Sequence, residues 1–92
     1  LPASREADVI ARQILRSGTS VAANYRAAGR SRSKAEFIAK MGIVVEEADE
    51  TVFWLELLSE SGLVKPAKLV ELLSEANQLL AIFAASRRTA RE

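Results

Sequence analysis

Ninety-two residues make one domain with little stability to spare alone, so self-association is expected from the start. The chain has no Cys and no His, which removes disulfides, thiolate metal sites, the usual neutral-pH general base and the commonest imidazole ligand, and leaves only carboxylate chemistry open. With 13 Lys plus Arg against 12 Asp plus Glu, the net charge of +1 argues for no partner until its distribution is known.

Apolar residues are 49% of the chain and aromatics 5%, with Ala and Leu prevailing over Val, Ile and Thr, a balance that favours helix over sheet. Ser4 stands where an N-cap should, and Glu6 and Asp8 in the first turn oppose the positive end of the dipole. A first helix is predicted from about Arg5 to Ala27. Its side chains from Ser17 to Ala28 are mostly small. Close approach of a neighbouring backbone is the expected reason for Gly18, which costs about 1 kcal/mol of helix propensity.

Gly29-Arg30-Ser31-Arg32 reads as a turn, and Ser33-Lys34-Ala35-Glu36 has the capping-box spacing. The second helix is predicted from about Lys34 to Ser61, with Gly62 placed to take a left-handed C′ conformation. Phe37, Met41, Val44, Ala48, Thr51, Leu55 and Leu58 alternate spacings of four and three, a heptad seam of the kind that bundles use. Ile43, Phe53, Trp54 and Leu57 fall outside that seam and call for an oligomer or partner surface to cover them. Pro66 suits the first turn of a third helix running to about Arg88, with Leu69, Leu72, Leu73, Ala76, Leu79, Leu80 and Phe83 along it.

Residues 1–92 are therefore expected to form one helical-bundle domain of antiparallel helices joined by short connections. Its surplus apolar surface implies a fourth helix, a partner subunit, or both. The sequence opens on Leu1-Pro2 rather than Met, so a preceding segment is the expected source of that helix. No uninterrupted apolar run approaches ~20 residues and no basic-then-apolar leader pattern is present, so the expectation is a cytoplasmic protein with no membrane role.

An ordered set of positions carries a family likeness. It comprises Gln13, Arg16-Ser17, Thr19-Ser20-Val21, Asn24-Tyr25-Arg26 and Ala28 in the first helix, then Ser33, Phe37, Lys40, Glu47-Ala48, Glu50-Thr51, Trp54-Leu55 and Leu57-Leu58 in the second, and Ser61-Gly62-Leu63 beyond it. In these the segment from Leu1 to about Val64 resembles the small bacterial four-helix-bundle proteins first described from open reading frames in intervening sequences of 23S ribosomal RNA genes. Ala22 and Glu46 depart from the pattern, standing where Gly and Lys are frequent. The resemblance implies an all-α, antiparallel up-down four-helix bundle, with a first helix ahead of Leu1-Pro2 and about three helices in this chain. It also implies ring-like homo-oligomers, pentamers foremost. A distant relative of that family, the accessory protein of diversity-generating retroelements, works beside a reverse transcriptase and binds nucleic acid, a fold-level analogy only.

No residue is assigned a catalytic role, and no cofactor is expected. Glu46, Glu47, Asp49 and Glu50 crowd one stretch, but a di-metal carboxylate site also wants His partners that this chain lacks. A half-buried Glu47 needs a cation, for which Arg16 is the candidate. Gln13, Ser17, Ser20 and Asn24 form a polar file expected to bond across a tight helix interface and fix its register, together with Arg16, Glu47 and Glu50. Tyr25 and Trp54 are expected in core or subunit contacts rather than as base-stacking platforms.

Topology supplies the argument about partners. In an antiparallel arrangement the turn between the first two helices and the end of the third share one end of the bundle. Arg26, Arg30, Arg32 and Lys34 would meet Arg87, Arg88 and Arg91 there, a basic end for RNA, DNA or a nucleic-acid-handling protein. The expected function is a non-enzymatic homo-oligomeric scaffold with that end as its contact surface. The alternative is a protein-interaction module that docks through Ile43, Phe53, Trp54 and Leu57.

Overall fold

The structure is a computed structural model and describes residues 4–92. Leu1-Pro2, on which the expectation of a preceding helix rests, lies outside those residues. Three helices follow one another, α1 (Arg5–Gly29), α2 (Lys34–Ser61) and α3 (Pro66–Arg91), and the described residues contain no strand. Each helix begins where the sequence predicts; α1 and α3 run two or three residues further than expected.

Local chemistry sets the helix ends. The Ser4 hydroxyl accepts from the Ala7 amide at 3.0 Å, and the Ser33 hydroxyl accepts from the Glu36 amide at 3.0 Å. The reciprocal half of the Ser33–Glu36 capping box is displaced by one residue, because Glu36 Oε2 accepts from the Arg32 amide at 3.4 Å rather than from Ser33. Gly62 closes α2 at φ +75°, a conformation that a Cβ would penalise. Pro66 starts α3 with no side-chain cap from Lys65.

Helix α2 lies in the middle and packs on both neighbours. Among the described residues α1 and α3 have no close backbone approach; they meet through side chains, as where the rings of Tyr25 and Phe83 stand 5.2 Å apart. One apolar cluster joins Ala28, Met41, Val44, Ala48 and Phe83 near the α1–α2 turn. A second joins Ile10, Leu55, Leu58 and Leu69 near the other end. The predicted seam supplies Met41, Val44, Ala48, Leu55 and Leu58 to these clusters. Val52 is buried as well, although it lies off the seam, because α3 covers a flank of α2 that a single stripe does not describe.

The Cα extents are 45 × 20 × 13 Å. A helix core is about 5 Å across at its Cα atoms and neighbours sit 8–10 Å apart, so these dimensions describe a bent layer of three helices rather than a closed cylinder. The concave side is an apolar groove of about 180 Å³ lined by Gly18, Val21, Ala48, Thr51, Ala76, Leu79 and Phe83, drawn from all three helices. Gly18 faces open space there, with nothing within 4 Å of the position its Cβ would take. The expected close packing at Gly18 is thus not with α2 or α3. Helix α3 is long and apolar enough to cross a membrane by length and composition, since an 18-residue window reaches a mean hydropathy of 1.2. The absence of an uninterrupted apolar run does not capture this. In the fold, Ala76, Leu79 and Phe83 of that helix line the groove.

Candidate nucleic-acid interface and polar seam

The polar residues separate into a seam between α1 and α2 and a basic end. In the seam the Arg16 guanidinium donates from Nη1 to Glu47 Oε2 at 3.2 Å, from Nη2 to Glu50 Oε1, and from Nε to Gln13 Oε1 at 3.0 Å. The Trp54 indole Nε1 donates to the same Glu50 oxygen at 3.3 Å. The Arg16 hydrogen bond first, and the Trp54 bond second, hold the Glu50 carboxyl below the ordinary glutamate range, and Glu50 in turn pushes Arg16 up. Glu46 and Asp49 are exposed, on turns of α2 that face away from this seam, so residues crowded in sequence are divided by helix phase. Among the described residues no group of three or more carboxylates is placed to hold a metal ion.

Ser17 is fully buried, and its hydroxyl lies 2.8 Å from that of Thr51 across the α1–α2 interface. Each hydroxyl also reaches a carbonyl of its own helix, Ser17 that of Gln13 and Thr51 that of Glu47, both at 2.9 Å. This is the one hydroxyl pair that crosses the interface among the described residues. The rest of the expected cross-helix file turns inward on α1: the Asn24 amide donates to the Ser20 carbonyl at 2.9 Å and to the Ser20 hydroxyl at 3.2 Å. Ser and Asn readily take such i−4 partners, which competes with bonding to a neighbour. Thr51, absent from the predicted polar set, was legible as a hydroxyl at a seam position facing Ser17.

At the basic end the turn and the C-terminus of α3 do come together, because Lys34 Nζ donates to the Glu92 carbonyl at 3.2 Å. The cations nevertheless form two clusters, not one. Arg26, Arg30 and Arg32 line a recess of about 780 Å³ with Ala23, Ala27, Glu36 and Lys40. Arg87, Arg88 and Arg91 line a smaller one of about 220 Å³ with Val45 and Ala84. At about 100° per residue, Glu36 and Lys40 sit on one side of α2 and Val45 on nearly the opposite side, so α2 separates the recesses. Arg87 is engaged within the fold: its Nε donates to the Ile38 carbonyl at 3.1 Å, and its guanidinium lies over Gly42. Lys40 belongs to the basic recess although it was predicted only as a family position; its spacing of four from Glu36 was the available signal.

Of the predicted outer surface, Ile43, Phe53 and Leu57 are exposed, Phe53 by 54%. Trp54 is half-buried and packs against the second core cluster, while stacking edge-on with Phe53 at 5.0 Å. Val9 joins Trp54 and Leu57 in lining a shallow apolar recess on this face.

The fold and these sites define an all-helical protein that carries a partly exposed polar seam around the buried Ser17, a basic end and two uncovered apolar faces. The chain matches the 23S rRNA-intervening sequence protein family over residues 1–85, and it belongs to that family. It is similar to a crystal structure of a protein with unknown function from the S23 ribosomal protein family of Bacteroides thetaiotaomicron VPI-5482, with 35% identity and a TM-score of 0.81 over 86% of this chain and 73% of that one. No curated protein matches the chain.

Proposed function

We propose that this protein is a non-enzymatic, homo-oligomeric scaffold whose basic end contacts RNA or DNA, directly or beside a nucleic-acid-handling protein. The observation that carries the reading is the gathering of cations at one end of a chain whose net charge is only +1. Among the described residues the ion pairs formed by arginines involve Arg12 and Arg16, both elsewhere on α1, and at the basic end Arg87 and Lys34 serve backbone carbonyls while Arg26, Arg30, Arg32, Arg88 and Arg91 remain for an external anion. Contacts of this kind give steep salt dependence and little sequence preference.

A fourth helix in the groove between α1 and α3 would complete the bundle, and ring-like association, pentameric by resemblance, would multiply the basic end around an axis. The accessible surface supports this completion. It amounts to 6217 Å² for a 10.0 kDa chain. A compact monomer of that mass exposes about 5,200 Å², so roughly 1,000 Å² is in excess, comparable to one partner's share of a stable interface.

The test is an anisotropy titration of labelled RNA and DNA at low and moderate salt, with Arg30, Arg32, Arg88 and Arg91 changed to Glu. Binding that falls with salt and is lost in the variant is expected; no binding at low salt, or binding unaltered by the changes, would sink the reading. A second reading, a protein-interaction module with no nucleic-acid role, is favoured by the exposure of Ile43, Phe53 and Leu57. It predicts that a defined heterologous partner, and not self-association, covers that face.

A further inference from the structure

The two basic recesses differ in what they can hold, and we infer that the one between the end of α1 and the first turns of α2 seats a single strand of nucleic acid by its phosphodiester backbone. The inference rests on the proposed nucleic-acid role and narrows it to one site and one form of ligand. Arg26 lies in the last turn of α1 and Arg30 is the residue that caps its end, and both line this recess. Arg32 enters from the turn and Lys40 from α2, so cations from three segments line one concavity. Among the described residues none of the four pairs with a carboxylate within 4 Å.

Glu36 is the one acid in the recess, and its Oε2 is directed to the Arg32 backbone amide as part of the cap on α2. A local surplus of three positive charges remains. The second recess is weaker on each count. It is less than a third as large, and Arg87 within it already serves the Ile38 carbonyl.

Shape chooses between strand and duplex. The recess, about 780 Å³, is a broad concavity open to solvent, with room for a nucleotide and its flanking phosphates. A flexible single strand can bend to bring its phosphates to cations on three separate segments, Arg26, Arg32 and Lys40, whereas a stiff duplex presents its phosphates at fixed spacing. Ala23 and Ala27 contribute only short side chains to the lining, and no aromatic ring belongs to it. The bound strand is therefore held through phosphate and sugar, with guanidinium forks on the phosphate oxygens and no stacking to discriminate bases.

The experiment measures binding of a labelled 12-nucleotide oligouridine, the same strand paired with oligoadenine, and unlabelled AMP as competitor. Proteins compared are the unaltered chain, Arg26→Glu/Arg30→Glu, the milder Arg26→Gln/Arg30→Gln, and Arg88→Glu/Arg91→Glu; these four arginines are exposed, and helicity is checked by circular dichroism. The single strand should bind at least tenfold tighter than the duplex. Charge reversal at Arg26 and Arg30 should weaken it at least tenfold, the Gln pair by less but in the same direction, and Arg88→Glu/Arg91→Glu by no more than about threefold. Neutralising two phosphates predicts a salt slope of about −1.4, largely lost in the Arg26/Arg30 variants. Equal losses in both clusters, or preference for duplex, would overturn the single-strand seat while leaving the nucleic-acid role standing. Displacement by AMP at micromolar concentration would assign the recess to a free nucleotide and overturn it likewise. Absence of any strand binding by the unaltered chain at low salt removes the nucleic-acid role itself.

Discussion

Arg87 and Gly42 illustrate how one side chain can remove itself from a surface reading. A Cβ at position 42 would lie 3.2 Å from Arg87 Nε and 3.3 Å from Nη2, tighter than ordinary contact. Glycine is intrinsically unfavourable inside a helix by about 1 kcal/mol, and here its bareness lets the guanidinium reach the Ile38 carbonyl. Gly42→Ala should therefore be close to neutral or destabilising in the unaltered chain, because the propensity gain is offset by displacement of Arg87. In an Arg87→Ala background the same change should stabilise by about 1 kcal/mol, the full propensity difference. Urea melts of the four proteins give the coupling directly, and identical effects in both backgrounds would show that the two residues do not depend on each other.

The helix starts and the end of α2 are legible because their chemistry is confined to a few neighbouring residues, whereas α1 and α3 overrun their expected ends. Ser4, Ser33 and Gly62 each act within three or four positions, and each does in the fold what its sequence context predicts. The consequence is measurable at two of them. Ser33→Ala should cost about 1 kcal/mol by freeing the Glu36 amide, and Gly62→Ala about 1 kcal/mol by forcing a Cβ into the left-handed region, both without change of m-value in urea unfolding. A Gly62→Ala protein as stable as its parent would mean that the α2–α3 connection relaxes to another conformation. Helix interiors were less legible. Val52 is buried because α3 reaches around α2, and Asn24 finds Ser20 in its own helix before any neighbour. Neither outcome is encoded in a spacing along one chain segment.

At the scale of the whole molecule, the sequence indicated which end is basic but not that α2 divides it. Helix phase about α2, which separates Lys40 from Val45, becomes visible only when both flanks are occupied. The same geometry makes the uncovered surface two-sided. The groove beside Ala48 and Thr51 and the outer face bearing Phe53 and Leu57 stand more than ~100° apart around α2, so one partner copy cannot cover both. With the groove unfilled by a fourth helix, two distinct apolar faces allow heterologous contacts that close into rings. The 92-residue chain should therefore scatter light as a species larger than a dimer at tens of micromolar. Phe53→Glu/Leu57→Glu and Leu79→Glu, placed on the outer face and the groove respectively, should each lower the assembly size while helicity by circular dichroism stays high, because these side chains are substantially exposed in the single chain. A monomer of full helicity at those concentrations would contradict the oligomeric reading, and a dimer abolished by changes on one face but indifferent to the other would reduce it to a two-fold contact.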